Sequence, residues 1–162
     1  MLKKYLIAFF LITLFSIGAH AAGTDDSSSK IKSNYDKAVS LIKQAKKYEK
    51  KGKTVKANKR YEKAQKLLIV SNKKKPLQAN TLNYLGFTTR KLGDYENGEK
   101  YYLLGLEIDP SHKGINEYLG ELYVVTNRID LAKERLNVLE NCNCEEYGEL
   151  KEIIDGTKTS KY

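Results

Sequence analysis

The triplet Tyr-Leu-Gly stands at Tyr84-Leu85-Gly86 and again, 34 residues on, at Tyr118-Leu119-Gly120. A fixed period of that length marks a chain built by stacking one supersecondary unit, which restricts the fold before composition is considered. Blocks of 34 residues begun at Ala79 and Lys113 put Leu85 and Leu119 at block position 7, and Gly86 and Gly120 at position 8. The first of these blocks continues with Gly93 at 15, Tyr95 at 17, Gly98 at 20, Tyr102 at 24, Gly105 at 27 and Pro110 at 32. The second has Tyr123 at 11, Ala132 at 20 and Leu136 at 24. An earlier block from Ala38 places Ala45 at 8, Tyr48 at 11, Gly52 at 15, Ala57 at 20, Tyr61 at 24 and Ala64 at 27.

Small residues at positions 8, 20 and 27 let two antiparallel helices approach closely, and large ones at 7, 11 and 24 fill the space between them. Gly52 and Gly93 supply the left-handed turn that closes the first helix of a pair, and Pro110 stops a helix. The spacing predicts helices over residues 34–51, 54–70, 80–92, 94–107, 113–126 and 129–140, the first opened by Ser33 and Asp36 as a capping box. The segment VSNKKKPLQ, with its lysines and Pro76, is expected to be a loop inserted between the first and second blocks. In the tail EEYGELKEIIDG, Tyr147, Leu150, Ile153 and Ile154 share one helical face, so a last helix is expected to cap the stack.

These positions resemble the tetratricopeptide repeat, whose pattern runs Leu-Gly-x-x-Tyr, then Ala-x-x-x-Phe, then Pro. The similarity covers residues 38–146, with repeats at about 38–71, 79–112 and 113–146 and a cap helix at 145–157. It implies an all-α, right-handed superhelical solenoid of three helix-turn-helix pairs plus the cap, of the small exported bacterial type. There are departures: Leu41, Leu82 and Asn116 stand where the family has tryptophan, Thr89 stands where an aromatic is usual, and Gly98 and Gly105 replace alanines inside a helix. Each such glycine costs about 1 kcal/mol of helix propensity, so Gly98→Ala is expected to raise the melting temperature.

Residues 1–21, MLKKYLIAFFLITLFSIGAHA, read as a secretory signal peptide: Lys3 and Lys4, an uncharged apolar run, and the Ala19-His20-Ala21 cleavage pattern. The run is too short for a span of about 20 apolar residues. Residues 22–33 are polar and expected to be a disordered linker, 34–157 the repeat domain and 158–162 a flexible tail. An exported, periplasmic protein, soluble after cleavage near Ala21/Ala22, is the expectation.

The formal charge of +9 is unevenly distributed. Residues 22–78 hold 17 Lys/Arg against 5 Asp/Glu, or +12, while residues 79–162 hold 10 against 15, or −5. Most of the basic half is lysine. The export signal argues against nucleic acid, which leaves a solvated helix face or an anionic surface such as lipid or envelope polysaccharide. Head-to-tail self-association of the two halves is a further reading.

Catalytic chemistry lacks its parts. Beyond the signal peptide there is one histidine, His112, expected in a solvent-exposed loop beside Pro110, and no nucleophile–base pair, ligand cluster or phosphate loop. No enzyme activity, no cofactor and no metal site are expected. Cys142 and Cys144 flank Asn143, and in an exported chain nearby cysteines usually oxidise. A bridge pinning the turn before the cap is expected, with pairing between molecules or free thiols as the alternatives.

Ligands of this family usually lie in the concave groove lined by the first helix of each pair. Carried over by block position, the resemblance implies a partner-binding groove at Asn80, Asn83, Tyr84 and Phe87, with Arg90, Glu117, Tyr118 and Glu121. The positions with which chaperone-binding members clamp a terminal carboxylate carry Ile42, Lys46, Tyr84, Gly114 and Tyr118, so a carboxylate clamp is not expected. The chain reads as a non-enzymatic scaffold for a protein or peptide partner in the envelope. The alternative is docking on anionic lipid or polysaccharide through the basic half.

Overall fold

The computed structural model describes residues 32–160. The expected signal peptide, most of the expected linker and the last two residues lie outside them. Seven helices occur among the described residues: α1 (Asn34–Glu49), α2 (Thr54–Lys74), α3 (Ala79–Lys91), α4 (Tyr95–Ile108), α5 (Lys113–Val125), α6 (Ile129–Leu139) and α7 (Glu145–Ile154). Helices α1 and α2, α3 and α4, and α5 and α6 form three pairs; α2 packs on α3, α4 on α5, and α7 covers α5 and α6. This is the all-α solenoid with a terminal cap that the 34-residue period predicts.

The ends of the helices follow local chemistry. The Ser33 hydroxyl accepts from the Asp36 amide at 3.1 Å, and the Asp36 carboxylate accepts from the Ser33 amide at 3.2 Å, which completes the capping box. Gly52 and Gly93 close α1 and α3 at φ +66° and +95°. In the third pair the same place is taken by Asn127 at φ +59°, a residue that tolerates the left-handed region better than most.

The expected loop VSNKKKPLQ is mostly helix. Helix α2 runs on through Lys74, and the break falls at Lys75, with φ −136° and ψ 88°. Nothing in Val70–Lys74 disfavours a helix, whereas the ring of Pro76 pushes the residue before it out of the helical region. The cap helix ends at Ile154, earlier than expected, and Gly156 follows at φ +72°.

The core is a seam of small and large residues in register. In the first pair Ala38, Ile42 and Ala45 of α1 meet Ala57, Tyr61, Ala64 and Leu68 of α2, all buried. In the second and third pairs glycine takes the place of Ala45. A Cβ on Gly86 would lie 2.5 Å from the Tyr102 ring, and one on Gly120 would lie 2.5 Å from Leu150 of the cap.

Candidate functional site

Helices α1, α3 and α5 present one face in common, and the predicted groove residues fall on it. Asn80 is exposed and Tyr84 and Tyr118 are half-buried, whereas Asn83, Phe87, Arg90, Glu117 and Glu121 are buried. Most of the expected contact set is therefore the floor of the face rather than its accessible surface.

That floor is an aromatic and ionic lattice. Phe87 packs between Tyr61, with ring centres 5.7 Å apart, and Tyr118 at 5.0 Å. The Lys46 ammonium lies 4.6 Å from the centre of the Phe87 ring and donates to the Tyr118 hydroxyl at 3.2 Å, so α1 reaches α5 across α3. Arg90 donates to the Tyr118 carbonyl at 2.7 Å and pairs with Glu121 at 3.0 Å, with the two side chains 0% and 5% exposed. Lys91 pairs with Glu49 at 2.5 Å, and the same carboxylate accepts from the Tyr61 hydroxyl at 2.8 Å. Burial lowers the pKa of Lys91, with Glu49 opposing the shift, and raises those of Tyr61 and Tyr118.

Above this floor a cavity of about 550 Å³ opens between Lys46, Glu49 and Lys50 of α1, Glu117, Tyr118 and Glu121 of α5, and Glu149 of α7. The carboxylates of Glu117, Glu121 and Glu149 converge within 4.8 Å of one another. Their charge is met from within the chain. Arg90 pairs with Glu121, Lys158 pairs with Glu149 at 3.2 Å, and Glu117 keeps its proton. Burial, reinforced by Glu121, Glu149 and Glu146, pushes the Glu117 carboxyl up to about 9. A second, shallower depression runs along Asn80, Asn83, Tyr84, His112, Lys113 and Glu146.

His112 differs from its expected role. It is half-buried and forms the N-cap of α5: Nδ1 accepts from the Ile115 amide at 3.1 Å, which leaves the ring proton on Nε2, 3.0 Å from the Asn80 carbonyl oxygen. Burial lowers its pKa, opposed by Asp109. Asn116, at a position where the repeat usually has tryptophan, is buried and donates to the carbonyls of Pro110 and His112 at 3.0 and 3.1 Å, fixing the turn between repeats. Thr89, in place of an aromatic, accepts from Gln65 at 2.8 Å and latches α2 to α3. A polar residue falling on a block position reserved for a large one was the available signal for both.

Cys142 and Cys144 are joined by a disulfide ahead of α7, with Asn143 between them at φ +46°. Glu145 and Glu146 occupy the first turn of that helix, where its dipole favours negative charge.

Two solved structures share this architecture. One is the type III secretion translocator chaperone SycD of Yersinia enterocolitica, at 16% identity and TM-score 0.53, over 73% of this chain and 81% of that one. The other is SycD in complex with a peptide of the translocator YopD, at 20% identity and TM-score 0.52, over 78% and 92%. No protein-family model matches the chain. No curated protein matches it either. The 34-residue signature, the three helix pairs and these likenesses define a tetratricopeptide-repeat fold.

Proposed function

We propose that the chain is a non-enzymatic interaction scaffold of the bacterial periplasm that holds a peptide or protein segment on the concave face of α1, α3 and α5. The observation that carries this reading is the cavity between α1 and α5, open above a floor in which Phe87, Arg90 and Tyr118 are already packed and bonded to one another. A preorganised floor reduces the ordering cost of binding. Tyr84 and Tyr118 offer apolar rings with polar tips, the amphipathic surface that extended peptides and helix faces use. The likeness to a chaperone crystallised with a peptide of its client is in keeping with this reading.

The test is a photo-cross-linker at Asn80, applied in intact cells. Captured protein should be lost on Tyr84→Ala and Tyr118→Ala and retained on Lys133→Ala, which lies on exposed α6. A capture profile indifferent to both tyrosines would overturn the groove. Fractionation of the same cells should place the processed chain in the periplasmic fraction; recovery in the cytosol would overturn the location.

A further inference from the structure

Helix α2 carries a feature that the concave face does not use. Its buried side is Ala57, Tyr61, Ala64 and Leu68, and the opposite side repeats at spacings of three and four as Lys59, Lys63, Lys66, Val70 and Lys73. Between residues 32 and 75 the chain has 16 Lys/Arg and only three acids, Asp36, Glu49 and Glu62. Glu49 is spent on Lys91 and Tyr61. Among the described residues, none of Lys56, Lys59, Lys63 and Lys66 has an acidic partner.

Three large apolar side chains are exposed on the same helix: Val55 at 71%, Ile69 at 38% and Val70 at 41%. Val55 and Val70 fall in the lysine stripe, and Ile69 lies at its edge. Beside the stripe, Tyr48, Lys56, Lys59, Arg60 and Lys63 line a recess of about 350 Å³. At 1.5 Å per residue the helix is about 31 Å long, and no pair packs on its outer side among the described residues. No helix among them is long and apolar enough to cross a membrane.

We infer that the outer face of α2 docks on an anionic phospholipid surface. A soluble polyanion asks only for charge and gains nothing from exposed valine and isoleucine. A bilayer offers both halves of the match: phosphates for the lysines, and an interfacial region for apolar side chains that project among them. Each lysine near an anionic membrane is worth about a fivefold change in partition. The recess under Arg60 and Lys63 is of a size to seat a single headgroup. Lying flat on α2 leaves the α1–α3–α5 face turned away from the lipid and free for a partner, so the two sites work independently.

The experiment is vesicle co-sedimentation of the full chain on phosphatidylcholine alone and on phosphatidylcholine with about three-tenths phosphatidylglycerol. The readout is the ratio of the two partition coefficients, compared between wild type and variants so that any contribution of residues 1–21, with Lys3 and Lys4, is common to both. The wild type should favour the anionic vesicles and lose that preference as salt rises. K59Q/K63Q/K66Q should cut the ratio about a hundredfold with unchanged helical circular dichroism. Val55→Ser with Ile69→Ser and Val70→Ser should lower binding to anionic vesicles at high salt. A ratio near one for the wild type, or no change in the lysine variant, overturns the inference. So does a serine variant that binds vesicles as well as the wild type, because the face then reads charge alone and fits a soluble polyanion.

Discussion

The first helix pair and the two that follow use one repeat in opposite ways. In α1–α2 the close approach is made through alanines, and Lys56, Lys59, Lys63 and Lys66 on the outer side of α2 have no acidic partner among the described residues. In α3–α6 the approach is made through glycines, and charge is brought inward: Arg90, Glu117 and Glu121 are all buried. The block positions are the same, and Tyr61 and Tyr102 both stand at 24. Position 8 can be Ala45 in the first pair, but a methyl there in the second would meet the Tyr102 ring. One end of the stack is thus available as a surface while the other is committed to its own interior.

The strongest way to break that comparison is Arg90→Ala. Removing one member of a buried pair leaves the other as an uncompensated charge and costs about 3–5 kcal/mol, here with Glu117 alongside. The variant should unfold at much lower denaturant, whereas Lys63→Ala in the first pair should move the midpoint by less than about 0.5 kcal/mol. Equal, small effects would mean that Arg90 is a contact residue and not an internal tie. Next comes Gly86→Ala. Overpacking against the buried Tyr102 ring costs about 1–3 kcal/mol and outweighs the roughly 1 kcal/mol of helix propensity gained, so a net loss of about 1 kcal/mol is expected. The mirror change, Ala45→Gly, should cost about 1 kcal/mol from propensity alone.

Glu117 sharpens the contrast through pH. Its folded-state carboxyl is raised from the ordinary 4.5 to about 9, so between those values the folded chain holds a proton that the unfolded chain releases. Stability therefore falls as pH rises through this window. Glu117→Gln should match the wild type at pH 5 and exceed it at pH 9 by at least about 1 kcal/mol, the value of a single pKa unit. A parallel pair of pH profiles would show that the carboxyl titrates normally.

The two tyrosines at block position 24 test the same point with one atom each. Tyr61 donates to Glu49 at 2.8 Å, while the buried Tyr102 hydroxyl has no hydrogen-bond partner among the described residues. Tyr61→Phe should lose about 1.5–3 kcal/mol, since a bond to a charged group goes. Tyr102→Phe should be neutral or slightly stabilising. The reverse order would overturn the assignment of partners.

The residues show how far the sequence can be read. Repeat boundaries, the capping box and the turns at Gly52 and Gly93 follow from local rules that depend on a few neighbours, and they were legible. Helix α2 ran past its expected end because the lysines of 70–78 look like a loop by composition, whereas only Pro76 has a steric veto. The groove was legible as a face but not as an accessible surface. Whether Phe87 or Arg90 is exposed depends on Lys46, Tyr61 and Glu121, which lie 41, 26 and 31 residues away and converge only after folding. His112 as a helix cap was missed for a similar reason: the spacing to Ile115 was visible, but the orientation of the ring was not.

Gly98 is the finest test, because packing there opposes the gain expected from propensity. A Cβ there would sit 3.2 Å from the Gly86 carbonyl oxygen, 3.2 Å from the Arg90 Cβ and 3.3 Å from the Arg90 amide nitrogen. Two of these three are backbone atoms of α3, and they cannot swing aside as the end of a side chain could. Arg90 is itself tied to Tyr118 and Glu121, so displacing it disturbs the third pair as well. The gain of about 1 kcal/mol from alanine is then offset by a comparable packing cost, and Gly98→Ala should lower the melting temperature slightly. Gly105→Ala meets only Ile115 Cδ1, the end of a side chain and not backbone, inside 3.4 Å and should be better tolerated. A clear rise at Gly98 would mean that α3 and α4 can slide apart by a few tenths of an ångström, and that the second pair is looser than its buried ion pair requires.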